Sequence, residues 1–219
     1  MKNIDLNKEW SFSSCGVKKS IDVPFSHLPV GRSVCEKSFS YDGHAERVFL
    51  KFDGITYLAN VTFNGKPLGK MLPYCEYSFD VTNVIDKENL ISVELEDINA
   101  AFGPTEGWEN FGGIIRDVSL MLLPENHITD VFFKSTLTDG FTSAEINVDV
   151  ECAQNRGEIE ISLFDGEEKI LCYTQRAGET KTQTLKKIKL WSPDEPHLYR
   201  LWNILVHQYH YLLDIHLGS

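Results

Sequence analysis

The sequence contains no apolar run long enough to cross a membrane. A transmembrane helix needs about 20 consecutive apolar residues, and no segment of the 219-residue chain approaches that length. The first residues, MKNIDLNKEWSF, also lack the apolar stretch of a secretory signal peptide. These absences predict a cytoplasmic protein that does not have a membrane as a partner.

Long runs of positive charge are missing as well. Lys and Arg nowhere form a run longer than two residues, and the formal net charge is −11 at pH 7. This charge balance repels nucleic-acid backbones and anionic lipid surfaces. Nucleic acid is therefore excluded as an expected partner.

The five cysteines show no CxxC spacing, and their odd number leaves at least one thiol unpaired in any disulfide scheme within one chain. This favours a reducing compartment, with the cysteines serving as small buried apolar residues. Trp10, Trp191 and Trp202 are likewise expected in the core, where large aromatic side chains usually pack.

Patterns for metals, phosphates and nucleophiles are also lacking. Four candidate zinc ligands near the C-terminus have a spacing that matches no established zinc site: His207, His210, Asp214 and His216. Neither a GxGxxG phosphate loop nor a nucleophile elbow occurs. We therefore expect no metal and no cofactor.

What the sequence does contain is a regular alternation of apolar and polar residues, for example over 48–52, 91–95 and 144–150. This period of two predicts half-buried strands, and turn pairs such as Asn64-Gly65 separate them. No stretch shows a helical period with caps. Many short strands predict an all-β protein of sandwich type, because two sheets with one apolar face each must pack face to face.

A domain boundary is predicted near Leu123-Pro124. The first 120 or so residues have longer loops punctuated by glycine, and the following strands are shorter and more regular over about the length of an immunoglobulin-like sandwich. We expect one β domain over 1–123, a second over 124–207, and an atypical C-terminal tail over 208–219.

Six segments in order along the chain resemble motifs of one enzyme family. They are 20–24 (SIDVP), 48–55 (VFLKFDGI), 59–69 (ANVTFNGKPLG), 77–82 (YSFDVT), 112–118 (GGIIRDV) and 190–199 (LWSPDEPHLY). Together they resemble the N-terminal region of glycoside hydrolase family 2, the β-galactosidase, β-glucuronidase and β-mannosidase group. Ile115 stands where the family pattern has tyrosine.

The resemblance implies a jelly-roll, galactose-binding-like β-sandwich followed by an immunoglobulin-like β-sandwich. It also implies that the catalytic TIM barrel of the family is absent from this sequence. The acid/base glutamate of the family follows an asparagine, and no Asn-Glu dipeptide occurs in the 219 residues. No catalytic residue is therefore assigned, and the chain alone is expected to be inactive.

The stretch GWENFGGIIRDV, residues 107–118, mixes aromatic, glycine and charged residues. Adjacent glycines in a strand predict a positive φ or a close backbone approach. The charges that follow stand among apolar residues, where they must be paired or lie at a rim.

The resemblance implies that this stretch is a loop delivered toward sugar. Asn110 matches the family asparagine beside the active site, and Glu109 and Trp108 are the other candidate substrate-binding residues. Gly112 and Gly113 are expected to let the chain turn out of the loop. Arg116 and Asp117 are expected to anchor the next strand through charge-assisted hydrogen bonds.

Three functions remain open from the sequence. The first is the non-catalytic N-terminal portion of a family 2 glycosidase, which supports an active site on a barrel missing from the chain. The second is a stand-alone carbohydrate-binding protein, in which Trp108, Phe111 and Tyr74 present flat faces to a β-glycoside. The third is a structural or adhesive tandem β-sandwich. A docking face left uncovered by the missing barrel favours oligomerisation.

Overall fold

The structure, a computed structural model, describes residues 2–27, 32–56, 58–96, 112–205 and 209–215, with backbone only at Asp139 and over 209–215. The chain divides into two compact units, Met1–Leu123 and Pro124–Ser219. Within the described ranges, regular structure is β-strand apart from one 3₁₀ turn, and no helix there is long and apolar enough to span a membrane. The all-β fold predicted from the alternation is confirmed.

The N-terminal unit consists of three antiparallel sheets. Its strands are β1 (Lys2–Asp5), β2 (Trp10–Ser14), β3 (Val17–Ile21), β4 (Phe25–His27), β5 (Ser33–Ser40), β6 (Arg47–Phe52), β7 (Ile55–Thr56), β8 (Leu58–Phe63), β9 (Lys66–Met71), β10 (Tyr77–Asp80), β11 (Glu88–Glu96), β12 (Gly112–Ile114) and β13 (Val118–Leu123). The sheet orders are β1-β13-β6-β10, β3-β2-β5-β11-β8-β9 and β4-β12-β7. The larger two supply most of the buried apolar core, and the small third sheet contains Gly112 and Gly113.

The C-terminal unit is a two-sheet sandwich. Its elements are β14 (Ile128–Leu137), the 3₁₀ turn Asp139–Phe141, β15 (Ser143–Cys152), β16 (Glu158–Asp165), β17 (Glu168–Arg176), β18 (Gln183–Lys186), β19 (Tyr199–Leu205) and β20 (Tyr209–Ile215). The sheets run β14-β15-β18 and β17-β16-β19-β20. Alternate residues of the inner strands, such as Ile146 and Ile161, are fully buried between them.

The predicted alternation explains the burial of the strands. In β6, Val48, Leu50 and Phe52 are buried while the residues between them are half-buried, because successive side chains of a strand point to opposite faces. The Asn64-Gly65 pair closes the β8–β9 hairpin with φ values of 50° and 74°, as a tight hairpin turn requires.

Two predictions about burial are wrong in part. Trp10 is fully buried, but Trp191 and Trp202 are 42% and 38% exposed. Three of the five free cysteines are also exposed: Cys15, Cys75 and Cys172. Trp202 lies on the outward-facing side of β19, where its ring packs against Phe164 at 5.3 Å between centroids. Residue type alone therefore did not predict the burial of these side chains.

The segment set apart as a tail contributes to the C-terminal sheet. β20 pairs with β19 in an antiparallel register that runs from Tyr199↔Ile215 to Leu205↔Tyr209. Residues 209–215 are therefore a strand of the second sandwich, although their sequence departs from the family pattern.

Candidate functional site

The three-stranded sheet β4-β12-β7 contains the strand that follows residues 97–111, the longest segment outside the described residues. The middle strand, β12, begins at Gly112, which pairs with His27, the last residue of β4. On the other side of β12, Gly113 pairs with Thr56, the last residue of β7. We call His27, Thr56 and Gly112 the loop base. Residues 28–31 follow β4, residue 57 follows β7, and residues 97–111 precede β12. The three strand ends next to these residues therefore lie at the same end of one small sheet.

The backbone at Gly113 leaves no room for a side chain. Its φ is +152°, and a Cβ there would overlap the carbonyl oxygen of Phe25 and lie 2.9 Å from the Cα of Ser26. At Gly112 the nearest atom to such a Cβ is His27 Nε2 at 3.4 Å, which is an ordinary contact. The close approach of β12 to β4 thus requires glycine at 113, whereas glycine at 112 is not sterically required.

Polar and aromatic side chains surround the loop base. His27 Nε2 lies 3.1 Å from the hydroxyl of the buried Ser33, and the His27 ring packs on Phe12 at 4.7 Å between centroids. The Thr56 hydroxyl donates to the Tyr74 hydroxyl at 3.4 Å, and the Tyr74 side chain is 59% exposed. An exposed ring with a polar tip can pack on the apolar face of a sugar, so Tyr74, already named from the sequence, remains a candidate binding residue.

Arg116 and Asp117 lie at a rim rather than in the core. Both side chains are exposed, and the ion pairs of the described residues include none between them. Asp117 instead accepts a hydrogen bond from Asn7 Nδ2 at 3.1 Å, and Asn7 Oδ1 accepts from the backbone N–H of Val118 at 2.8 Å. Of the two alternatives that the sequence left for these charges, a pair or a position at a rim, the described geometry is the rim, because solvent reaches both side chains.

A polar cleft of about 470 Å³ adjoins this rim. Within it, Lys51 Nζ lies 2.9 Å from Asp53 Oδ1 and 3.1 Å from Glu76 Oε2. Burial acts to lower the pKa of Lys51, but the hydrogen bonds to the two carboxylates outweigh it and raise the pKa overall. Lys51 is therefore a protonated structural cation rather than a general base. The cleft is lined by Pro24, Lys51, Asp53, Glu76, Ile115, Arg116 and Asp117.

The carboxyl groups with a shifted pKa do not suit glycoside hydrolysis. A glycosidase needs one carboxylic acid with a raised pKa to protonate the leaving group. Hydrogen bonds from Lys8, Asn60 and Lys189 instead lower the pKa values of Asp22, Glu96 and Asp165, respectively. These three groups are carboxylates at neutral pH and cannot act as that acid.

The predicted substrate-binding residues Trp108, Glu109 and Asn110 lie outside the described residues. His207 and His216 lie outside them as well, and the side chains of His210 and Asp214 in β20 are not described. In the part of the chain that is described, no group of three or more His, Cys, Asp or Glu side chains could hold a metal ion.

Sequence reasoning missed Asn7 and His27. Asn7 lies 110 residues before Asp117, and His27 meets Gly112 only because β4 and β12 pair. Neither residue belongs to a local pattern that indicates its partner. The one available signal was the glycine pair, which indicates that another backbone approaches but not which one.

Comparison with known proteins agrees with the geometry. Residues 33–105 match the family model described as glycosyl hydrolase 2 galactose-binding domain-like, and residues 126–208 match glycosyl hydrolases family 2. The chain is 30% identical over 191 residues to a β-galactosidase of Clostridium acetobutylicum, covering 84% of this chain and 21% of that protein. It is 28% identical over 180 residues to a β-glucuronidase of Streptococcus agalactiae, and this alignment covers 70% of this chain and 29% of that protein.

Solved structures share the fold. A β-glucuronidase of Bacteroides uniformis aligns with a TM-score of 0.81 at 18% identity over 98% of this chain and 32% of its own. A β-glucuronidase of Ruminococcus gnavus aligns with a TM-score of 0.82 at 17% identity, over 100% of this chain and 46% of its own. The jelly-roll and immunoglobulin-like sandwiches predicted from the motifs are confirmed. The chain spans less than a third of the length of the curated relatives described above.

Proposed function

We propose that this chain is the non-catalytic N-terminal portion of a β-galactosidase- or β-glucuronidase-type glycosidase. The chain belongs to glycosyl hydrolases family 2, because both of its matched domains are domains of that family. In this function it shapes an active site whose catalytic carboxylates lie on a barrel outside this sequence. The barrel domain and a β-glycoside are its proposed partners.

The loop base is the observation that carries this proposal. Residues 97–111 start where β11 leaves the six-stranded sheet and return where β12 is held between β4 and β7. A segment whose two flanking residues are fixed on rigid strands can present side chains with the precision that a binding site needs. In this arrangement, Asn110 and Glu109 bind sugar hydroxyls and Trp108 offers its flat face to the ring.

A chimera tests this function. We would join this chain to the remaining part of the C. acetobutylicum β-galactosidase, of which it matches 21%, and assay hydrolysis of an aryl β-galactoside. Asn110→Ala should lower kcat/KM at least about tenfold, because a lost hydrogen bond to a substrate leaves polar groups unpaired. Asn3→Ala, at an exposed position of β1, is the matched control and should leave kcat/KM unchanged.

An active chimera that tolerates Asn110→Ala would contradict the assigned role of the loop. Calorimetric titration of the chain alone with galactose and glucuronate distinguishes the second candidate function. Binding that is lost in Tyr74→Ala would favour a stand-alone carbohydrate-binding protein, since the exposed Tyr74 ring lies beside the loop base.

A further inference from the structure

Strand β14 is an edge strand of its sheet. In the sheet order β14-β15-β18, it has a hydrogen-bonded ladder with β15 and with no other strand of the described chain. Its register with β15 shifts between Ile128 and Asp130 and is regular from Asp130 to Leu137, so the outer side of this regular part carries a row of backbone N–H and C=O groups. Such an edge is a template for pairing with another strand.

Three alternate side chains of β14 point away from the core of the sandwich. Asp130, Phe132 and Lys134 are all exposed, and Phe132 is 61% exposed. Neither charge forms an ion pair with another residue that the structure describes. Asp130 lies opposite Glu151 of β15, and like charges in facing positions destabilise a sheet. A positive charge on the free side of Asp130 would offset that repulsion.

The order of these side chains is self-complementary. If two copies of β14 pair antiparallel about a two-fold axis at Phe132, Asp130 of each copy faces Lys134 of the other, and the two Phe132 rings meet at the centre. Opposite charges and aromatic pairs in facing positions are the pairs that stabilise antiparallel strands. Parallel in-register pairing would instead place Asp130 against Asp130 and Lys134 against Lys134. The charges thus favour one orientation and one register.

We infer that β14 is a homodimerisation edge, through which two copies of this chain join their sheets antiparallel about Phe132. A two-fold interface uses the same surface on both partners, and the charge pattern of β14 satisfies that condition. The inference is independent of the glycosidase function proposed above.

Charge swapping tests the dimer. Sedimentation velocity of the full chain from roughly 1 to 500 µM should show a shift from monomer to dimer mass. Asp130→Lys places Lys against Lys, and Lys134→Asp places Asp against Asp, so each variant alone should dimerise about tenfold more weakly. An equimolar mixture of the two variants restores both opposite-charge pairs and should form a heterodimer. The double variant Asp130→Lys/Lys134→Asp should dimerise like the original chain.

The matched control is Glu167→Lys, the same type of charge change at an exposed turn between β16 and β17, which should leave the dimer unchanged. Thermal melts check that every variant is folded, as surface substitutions rarely cost more than about 0.5 kcal/mol. The inference is overturned if the original chain stays monomeric over the whole range. It is also overturned if its dimer is insensitive to Asp130→Lys, or if mixing the two single variants restores nothing.

Discussion

Replacing Gly113 with alanine should lower the free energy of unfolding of the N-terminal unit by about 4 kcal/mol, since backbone strain and overpacking each cost about 1–3 kcal/mol. The added Cβ would overlap the carbonyl oxygen of Phe25 and approach the Cα of Ser26 at 2.9 Å. Both of these atoms belong to backbone, so no rotamer change can relieve the overlap. The φ of +152° adds strain that any residue with a Cβ would carry.

Hydrogen exchange measured in increasing urea follows the core strands of each unit separately and so reports this loss directly. Gly112→Ala is the adjacent control, because its Cβ would meet His27 Nε2 at an ordinary 3.4 Å; it should cost about 1 kcal/mol or less. If the two substitutions destabilise the unit equally, the close approach of β12 to β4 is not as described.

Trp10→Ala should destabilise the same unit by about 4 kcal/mol, the usual cost of truncating a fully buried aromatic side chain. The Trp10 ring has no exposed surface, and its Nε1–H donates to the carbonyl of Leu6 at 2.6 Å. The variant would leave a cavity in the core and a carbonyl without its donor.

Trp202→Ala is the control of the same residue type. Trp202 is 38% exposed on the C-terminal unit, so its loss should cost about 1 kcal/mol and leave the N-terminal unit unaffected. The same hydrogen-exchange measurement separates the two cases. Equal losses from the two substitutions would show that burial does not govern the contribution of tryptophan to stability in this chain.

Much of the fold could be predicted from the sequence because local rules decide it. Period-two alternation marks β6 and β15, since a strand with one buried face must place apolar residues at every second position. The Asn64-Gly65 turn was equally predictable, because few residue pairs tolerate two positive φ values. The need for glycine near residue 113 was also visible in the sequence, since glycine pairs within strands signal a close approach.

The surroundings of the loop base could not be predicted in the same way. His27 meets Gly112 through pairing of β4 with β12, and Asn7 meets Asp117 and Val118 through side-chain hydrogen bonds. These segments are far apart in sequence, and no local pattern encodes such contacts. The solvent exposure of Trp191 and of three cysteines was missed for a related reason. Trp191, Cys15 and Cys75 lie in turns or loops outside the strands, and whether such a position is covered depends on tertiary packing and not on the residue type.

The proposed function places the catalytic carboxylates of the glycosidase outside this chain. Its most direct test is the turnover of aryl β-galactoside and aryl β-glucuronide by the purified chain. We expect no hydrolysis above that of a heat-denatured sample, because two carboxyl groups must be held about 5–5.5 Å apart across the glycosidic bond for retaining hydrolysis. Turnover that persists through repurification and disappears when a single Asp or Glu is replaced would contradict the claim.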